Sequence, residues 1–280
     1  SFLHQDRIDI GRLAIENPKI ERDIPFDAER DLTEDDRKEM NAYADIYRID
    51  RNTFVFSLYA MPLKFILPQR QFDLDLHDHE WQKVKVDIEK WRAEKNWTWF
   101  TLTAMRLKLA FPERQAELGL TEQDRQALQK NLERDRLKKS WQMFAIDVLA
   151  LKSLFPQHQA ELGLNEEVWQ EMRQSLYNGD CVSLTHFSSY AAHLKLLFPQ
   201  HQDELKLTEQ IWQKMKYIFQ KRDHNWCPGR SEFINYVFEM QILSAEEAYI
   251  NDQGELVINM RKDKKDFRAE KSPIPVRRKF

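Results

Sequence analysis

Phe155-Pro156-Gln157-His158-Gln159-Ala160-Glu161-Leu162-Gly163-Leu164 decides how this chain is read, because close copies of it occur elsewhere in the same sequence. It returns as Phe111-Pro112-Glu113-Arg114-Gln115-Ala116-Glu117-Leu118-Gly119-Leu120 and as Phe198-Pro199-Gln200-His201-Gln202-Asp203-Glu204-Leu205-Lys206-Leu207, with Leu67 to Leu76 a looser copy. The prolines at 68, 112, 156 and 199 are 44, 44 and 43 residues apart. A period of that length belongs to arrays of paired helices.

Working upstream, apolar residues stand twelve, eight, five and one positions before each proline, the spacing of one helical face. The quartets are Phe56, Ala60, Leu63 and Leu67; Phe100, Ala104, Leu107 and Phe111; Phe144, Val148, Leu151 and Phe155; and Phe187, Ala191, Leu194 and Phe198. They define a helix A that ends before the proline, which disfavours helical geometry in the residue preceding it and suits the opening of a new turn.

Downstream, Gly119 and Gly163 are placed to close that turn in the left-handed conformation, and Thr121, Asn165 and Thr208 to cap a second helix, B. The B face reads Leu76, Trp81, Val84, Ile88; Leu120, Arg125, Leu128, Leu132; Leu164, Trp169, Met172, Leu176; and Leu207, Trp212, Met215, Phe219. One unit cannot bury either face alone, so neighbours must stack.

The expected fold is therefore all-α, an α-solenoid of about five tandem helix-turn-helix repeats of period 43–44. Residues 1–50 hold an N-terminal segment with a degenerate first repeat, in which Ala28, Leu32 and Met40 echo the consensus, and 51–220 hold the array. Residues 221–260 carry a terminal half-repeat, Phe233 to Leu243, then two β-rich runs around Asp252-Gln253-Gly254, read as a hairpin capping the apolar end of the last repeat. Residues 261–280 form a basic tail with nine basic and three acidic residues.

In period and helix count the unit resembles HEAT- and armadillo-type repeats across roughly residues 50 to 220, and its text is similar to that of uncharacterised bacterial helical-repeat proteins. The resemblance implies architecture alone, since fold does not fix function.

Composition narrows the function classes. Six glycines in 280 residues argue against phosphate-cradling loops and most nucleotide-binding folds. The net charge of −3 gives no chain-wide pull toward nucleic acid or membrane, and no apolar run has the length of a span. A cytoplasmic protein with no membrane partner is expected, and two cysteines suit a reducing compartment.

No nucleophile-base pair, His-Glu-x-x-His element or glycine-rich loop stands out, so the reading is a non-enzymatic scaffold without a cofactor, binding another protein or a larger complex. Trp81, Trp97, Trp141, Trp169 and Trp212 fit core positions, while Trp91, Trp99 and Trp226 fall outside the repeat frame and are expected as exposed interface anchors. An alternative is a nucleic-acid or ribonucleoprotein factor using the tail, with Lys262, Lys264, Lys265, Arg277, Arg278 and Lys279 against phosphates. A second alternative is a zinc-binding or enzymatic protein using the loops around Cys181, His186, His224 and Cys227. Finally, Lys64, Lys108, Lys152 and Lys195 stand four residues before each proline, nine before Asp73, Glu117, Glu161 and Glu204. An ion pair inside each repeat is expected from that spacing, in preference to a basic ladder facing an anionic partner.

Overall fold

The computed structural model describes residues 26–49, 52–66, 76–177, 184–205 and 230–260. In them the chain is mostly helical: α1 (Ala28–Asp31), α2 (Glu34–Ile49), α3 (Thr53–Ile66), α4 (Asp78–Ala93), α5 (Trp97–Ala110), α6 (Glu122–Leu137), α7 (Trp141–Leu154), α8 (Glu166–Tyr177), α9 (Leu184–Leu197) and α10 (Arg230–Ser244). Short 3₁₀ turns, Pro112–Leu118, Pro156–Leu162 and Pro199–Glu204, follow α5, α7 and α9, and strands β1 (Glu247–Ile250) and β2 (Leu256–Asn259) follow α10.

The repeated text does locally what its chemistry requires. Phe111 closes α5 with its N–H on the Leu107 carbonyl at 2.8 Å, and Pro112 then opens the 3₁₀ turn. Gly119 and Gly163 end two of these turns at φ of 56° and 64°. Thr121 Oγ1 accepts from the Asp124 N–H at 3.2 Å while Asp124 accepts from the Thr121 N–H at 2.8 Å, a reciprocal capping box for α6. Thr33 and Asp36 form the same box at α2, and Asn165 caps α8 by accepting from the Val168 N–H at 3.0 Å. Each turn therefore resets the chain for the next helix.

All the quartet residues of α3, α5, α7 and α9 are buried, Leu67 lying outside the described residues. On the B helices Trp81, Val84, Ile88, Leu128, Leu132, Trp169, Met172 and Leu176 are buried; the B helix after Leu205 lies outside the described residues. The A helices also bury much of their other side, as Ala145, Leu149, Ala150 and Ser153 show on α7, and a helix apolar on every side must be covered on every side.

That cover comes from the other A helices. Helix α3 packs against α5, α5 against α7, α7 against α9 and α9 against α10, and α10 returns to pack against α3. The contacts thus close into a ring of five, with Phe65 of α3 set 5.9 Å from Phe238 of α10 at the closure. Helices α4, α6 and α8 pack on α5, α7 and α9, and α2 packs on α3.

The sheet is a two-stranded antiparallel hairpin with Tyr249 opposite Val257 and Ile250 opposite Leu256. Its position departs from expectation. Instead of capping the end of the last repeat, it crosses the carboxyl ends of the A helices: β1 packs on α7, α9 and α10, Gln159 donates to the Asn251 carbonyl at 3.1 Å and Gln202 to that of Ala248 at 3.3 Å. With α10 closing the ring, the apolar surface within the hairpin's reach is the ring's carboxyl-terminal mouth.

The lysine row is also corrected. Glu117 pairs with Arg114 and Lys85, Glu161 with His158 and Arg125, and Glu204 with His201. Lys108 donates instead to the Ser153 carbonyl, and Lys195 to the carbonyls of Leu243 at 3.2 Å and Ala245 at 2.6 Å. Both ammonium groups thus satisfy carbonyls at the carboxyl end of the next A helix, where the helix dipole favours a cation.

Candidate functional site

Residues three, six, seven and ten positions before Pro112 and Pro199, and three, seven and ten before Pro156, form a second stripe on their helices, and this stripe, joined by Met61 of α3, faces the inside of the ring. It encloses a hollow of about 240 Å³, walled by Met61, Met105, Leu149, Leu196 and Phe238 among others and closed at the hairpin end by Ile250 and Leu256. Three chargeable side chains join this apolar lining: Arg106 of α5, His193 of α9 and Glu239 of α10. Arg106 and His193 stand six residues before Pro112 and Pro199, so the repeat sets them at equivalent places on their helices.

Their surroundings differ. The Arg106 guanidinium lies 5.9 Å from the centre of the Phe54 ring, and its Nη1 is buried with no hydrogen-bond partner among the described residues. Desolvation lowers its pKa to about 10, which leaves it cationic at neutral pH. His193 Nδ1 is likewise buried with no partner among the described residues. Burial, and then the charge of Arg106, take this imidazole down to about 4, so it is neutral. Glu239 accepts from Ser188 Oγ at 2.8 Å, and a second hydrogen bond comes from Ser189. Burial nevertheless pushes its carboxyl up to about 7. Strongly shifted groups gathered in one hollow are what functional sites require.

A pair of carboxyl groups, Asp135 and Asp147, lies between α6 and α7. Burial, followed by the charge of Asp135, raises Asp147 to about 7 against the opposing charge of Arg134, which pairs with Asp135 at 3.0 Å.

The residues expected at interfaces divide. Trp99 is 44% exposed and stacks on Phe54 at 4.4 Å between ring centres, whereas Trp91 is only 7% exposed. The Trp91 expectation is corrected: at the end of α4 it turns inward and packs edge-on against Trp99 at 5.9 Å. Trp226 and the basic residues Lys262, Lys264, Lys265, Arg277, Arg278 and Lys279 lie outside the described residues. So do Cys181, His224 and Cys227; His186 is exposed on α9, and among the described residues no three His, Cys, Asp or Glu side chains are grouped to hold a metal. His77 and Glu80 serve α4: the His77 N–H donates to Glu80 at 2.7 Å across the first turn.

Arg106, His193 and Glu239 escaped the sequence reading because an ionisable residue on a repeat helix reads by default as solvated. The second apolar stripe was the available signal. No family description, curated protein or solved structure matches the chain. Among the described residues, no helix is long and apolar enough to cross a membrane.

Proposed function

We propose that the chain is a non-enzymatic helical-repeat scaffold, a short solenoid bent until its ends meet, which holds another protein or a larger complex at the amino-terminal rim of the ring. The observation that carries this reading is the exposure of large apolar side chains there. Trp99 and Met143 are each the third residue of their A helices, one repeat apart, and are 44% and 40% exposed. Leu137, at the end of α6 beside the start of α7, is 86% exposed. The opposite mouth is covered by the hairpin. An aromatic side chain held rigidly by a stacked neighbour, with apolar groups beside it, suits an interface anchor.

The test is affinity capture from native lysate with the wild-type chain, a Trp99→Ala/Leu137→Ser/Met143→Ser variant and a chain ending at residue 260, each with and without nuclease. The expected result is that the wild type and the shortened chain retain the same proteins regardless of nuclease, and the rim variant loses them. Capture that needs residues 261–280 and disappears with nuclease replaces this reading with nucleic-acid binding through the basic tail. Undiminished capture by the rim variant moves the interface elsewhere.

A further inference from the structure

We infer that the hollow at the centre of the helix ring is a binding site for a small monocarboxylate with an apolar body, its carboxylate held by Arg106 and His193. The first support is the unmet charge. A guanidinium taken out of water needs a counter-ion or hydrogen-bond acceptors, and keeping one without them is costly. Among the described residues Arg106 has neither: Nη1 is buried without a partner, desolvation alone acts on its pKa, and the Phe54 ring lies near the outer limit of a cation–π contact. An anion resting on Arg106 supplies what is missing, with the fork geometry that guanidinium and carboxylate share.

The second support is His193. Its Nδ1 is also buried without a partner among the described residues, and it lines the same hollow from α9. A neutral imidazole with a free ring N–H can donate to the same anion without adding charge.

The rest of the lining sets the class of anion. One cation and one neutral donor balance a single negative charge, and Glu239 on the far helix of the ring disfavours a dianion such as phosphate. The remaining wall is largely methionine, leucine, isoleucine and phenylalanine, so the body of the ligand is hydrocarbon. A hollow of about 240 Å³ is the share of roughly eight water molecules, the size of a six-carbon carboxylic acid. Leu109 and Leu256 line both this hollow and the open groove beside the hairpin, which places the thinnest wall at that mouth.

The experiment is isothermal titration calorimetry on the whole chain at neutral pH with hexanoate, and with hexanamide as the uncharged match. Hexanoate is expected to bind once per chain, with hexanamide and the Arg106→Gln variant each weaker by about tenfold or more. Ala192→Leu, which fills part of the hollow without touching Arg106, is expected to weaken hexanoate as well. Among the described residues Arg106 makes no hydrogen bond or ion pair that the change would break, so Arg106→Gln should fold, and the hexanamide comparison needs no variant. Absence of saturable hexanoate binding at millimolar concentration overturns the proposal, as does equal affinity for hexanamide or binding unchanged in both variants.

Discussion

Gly254 lies against the carbonyl oxygen of Ser153 so closely that a Cβ added to it would overlap that oxygen and come within 2.7 Å of Lys108 Nζ. The hairpin turn is thereby fastened to the end of α7 by contact of backbone on backbone. Gly254→Ala adds that overlap to the cost of a left-handed φ of 74°, and a loss of about 2–4 kcal/mol in urea denaturation is expected. Gly119→Ala, at φ of 56° with nothing within 4 Å of its Cβ, isolates the backbone cost and should lose about 1–2 kcal/mol.

Trp169 anchors the B face of its repeat. It is fully buried, stacked on His201 at 4.7 Å and packed against Phe198 at 5.1 Å. Trp169→Ala leaves a cavity between α8 and the following turn, and chemical denaturation should show a loss of roughly 3–5 kcal/mol. A loss below about 1 kcal/mol would contradict the packing described for this face.

Asp124 has two tasks, the capping box of α6 and a two-pronged hold on Arg92 of α4 at 2.8 and 2.9 Å. Removing it takes from the half-buried Arg92 guanidinium its two-pronged partner, leaving Glu89 and the Gly119 carbonyl, and leaves the Thr121 N–H and hydroxyl without their acceptor. Asp124→Ala should therefore cost about 3–5 kcal/mol, and Asp124→Asn, which keeps an acceptor for the cap, markedly less.

Asp147 gives the fold a pH dependence of known sign. Its carboxyl titrates near 7 in the fold, against an ordinary value of 3.8. Between those values the folded chain keeps a proton on Asp147 that the unfolded chain has released, so the contribution of this group to stability is greatest at low pH and is lost as pH rises through about 7. Asp147→Asn removes that loss: it should be more stable than wild type by about 1–3 kcal/mol near pH 8 and close to equal near pH 4. His193 acts in the opposite direction between about 4 and 6.5, so comparing the variant with wild type at each pH isolates Asp147.

What the sequence disclosed depended on distance along the chain. The Pro112 turn, the Gly119 and Gly163 closures and the Thr121 cap are set by neighbours within a few residues, and the quartet faces follow from helical period alone. Where Lys108 points is not local: Glu117 is near in sequence, yet the Ser153 carbonyl is nearer in space. The inward turn of Trp91 depends on Trp99, and the enclosure of Arg106 depends on four other helices. The hairpin runs were legible in residues 248–258, but their seat across α7 and α9 required knowing that α10 closes the ring.

Closure has a consequence for how the chain folds. In an open array every interface joins adjacent repeats, so structure nucleates anywhere and spreads, and ends fray independently. Here the Ala28 N–H donates to Gln241 Oε1 at 2.8 Å across 213 residues of chain, and α3 meets α10 over a comparable separation. Such pairings carry a loop-closure entropy that must be met before they return any contact, which slows folding. They also tie the first and last elements into one cooperative transition, so a piece lacking α10 would lose the support of α3 along with its own terminus.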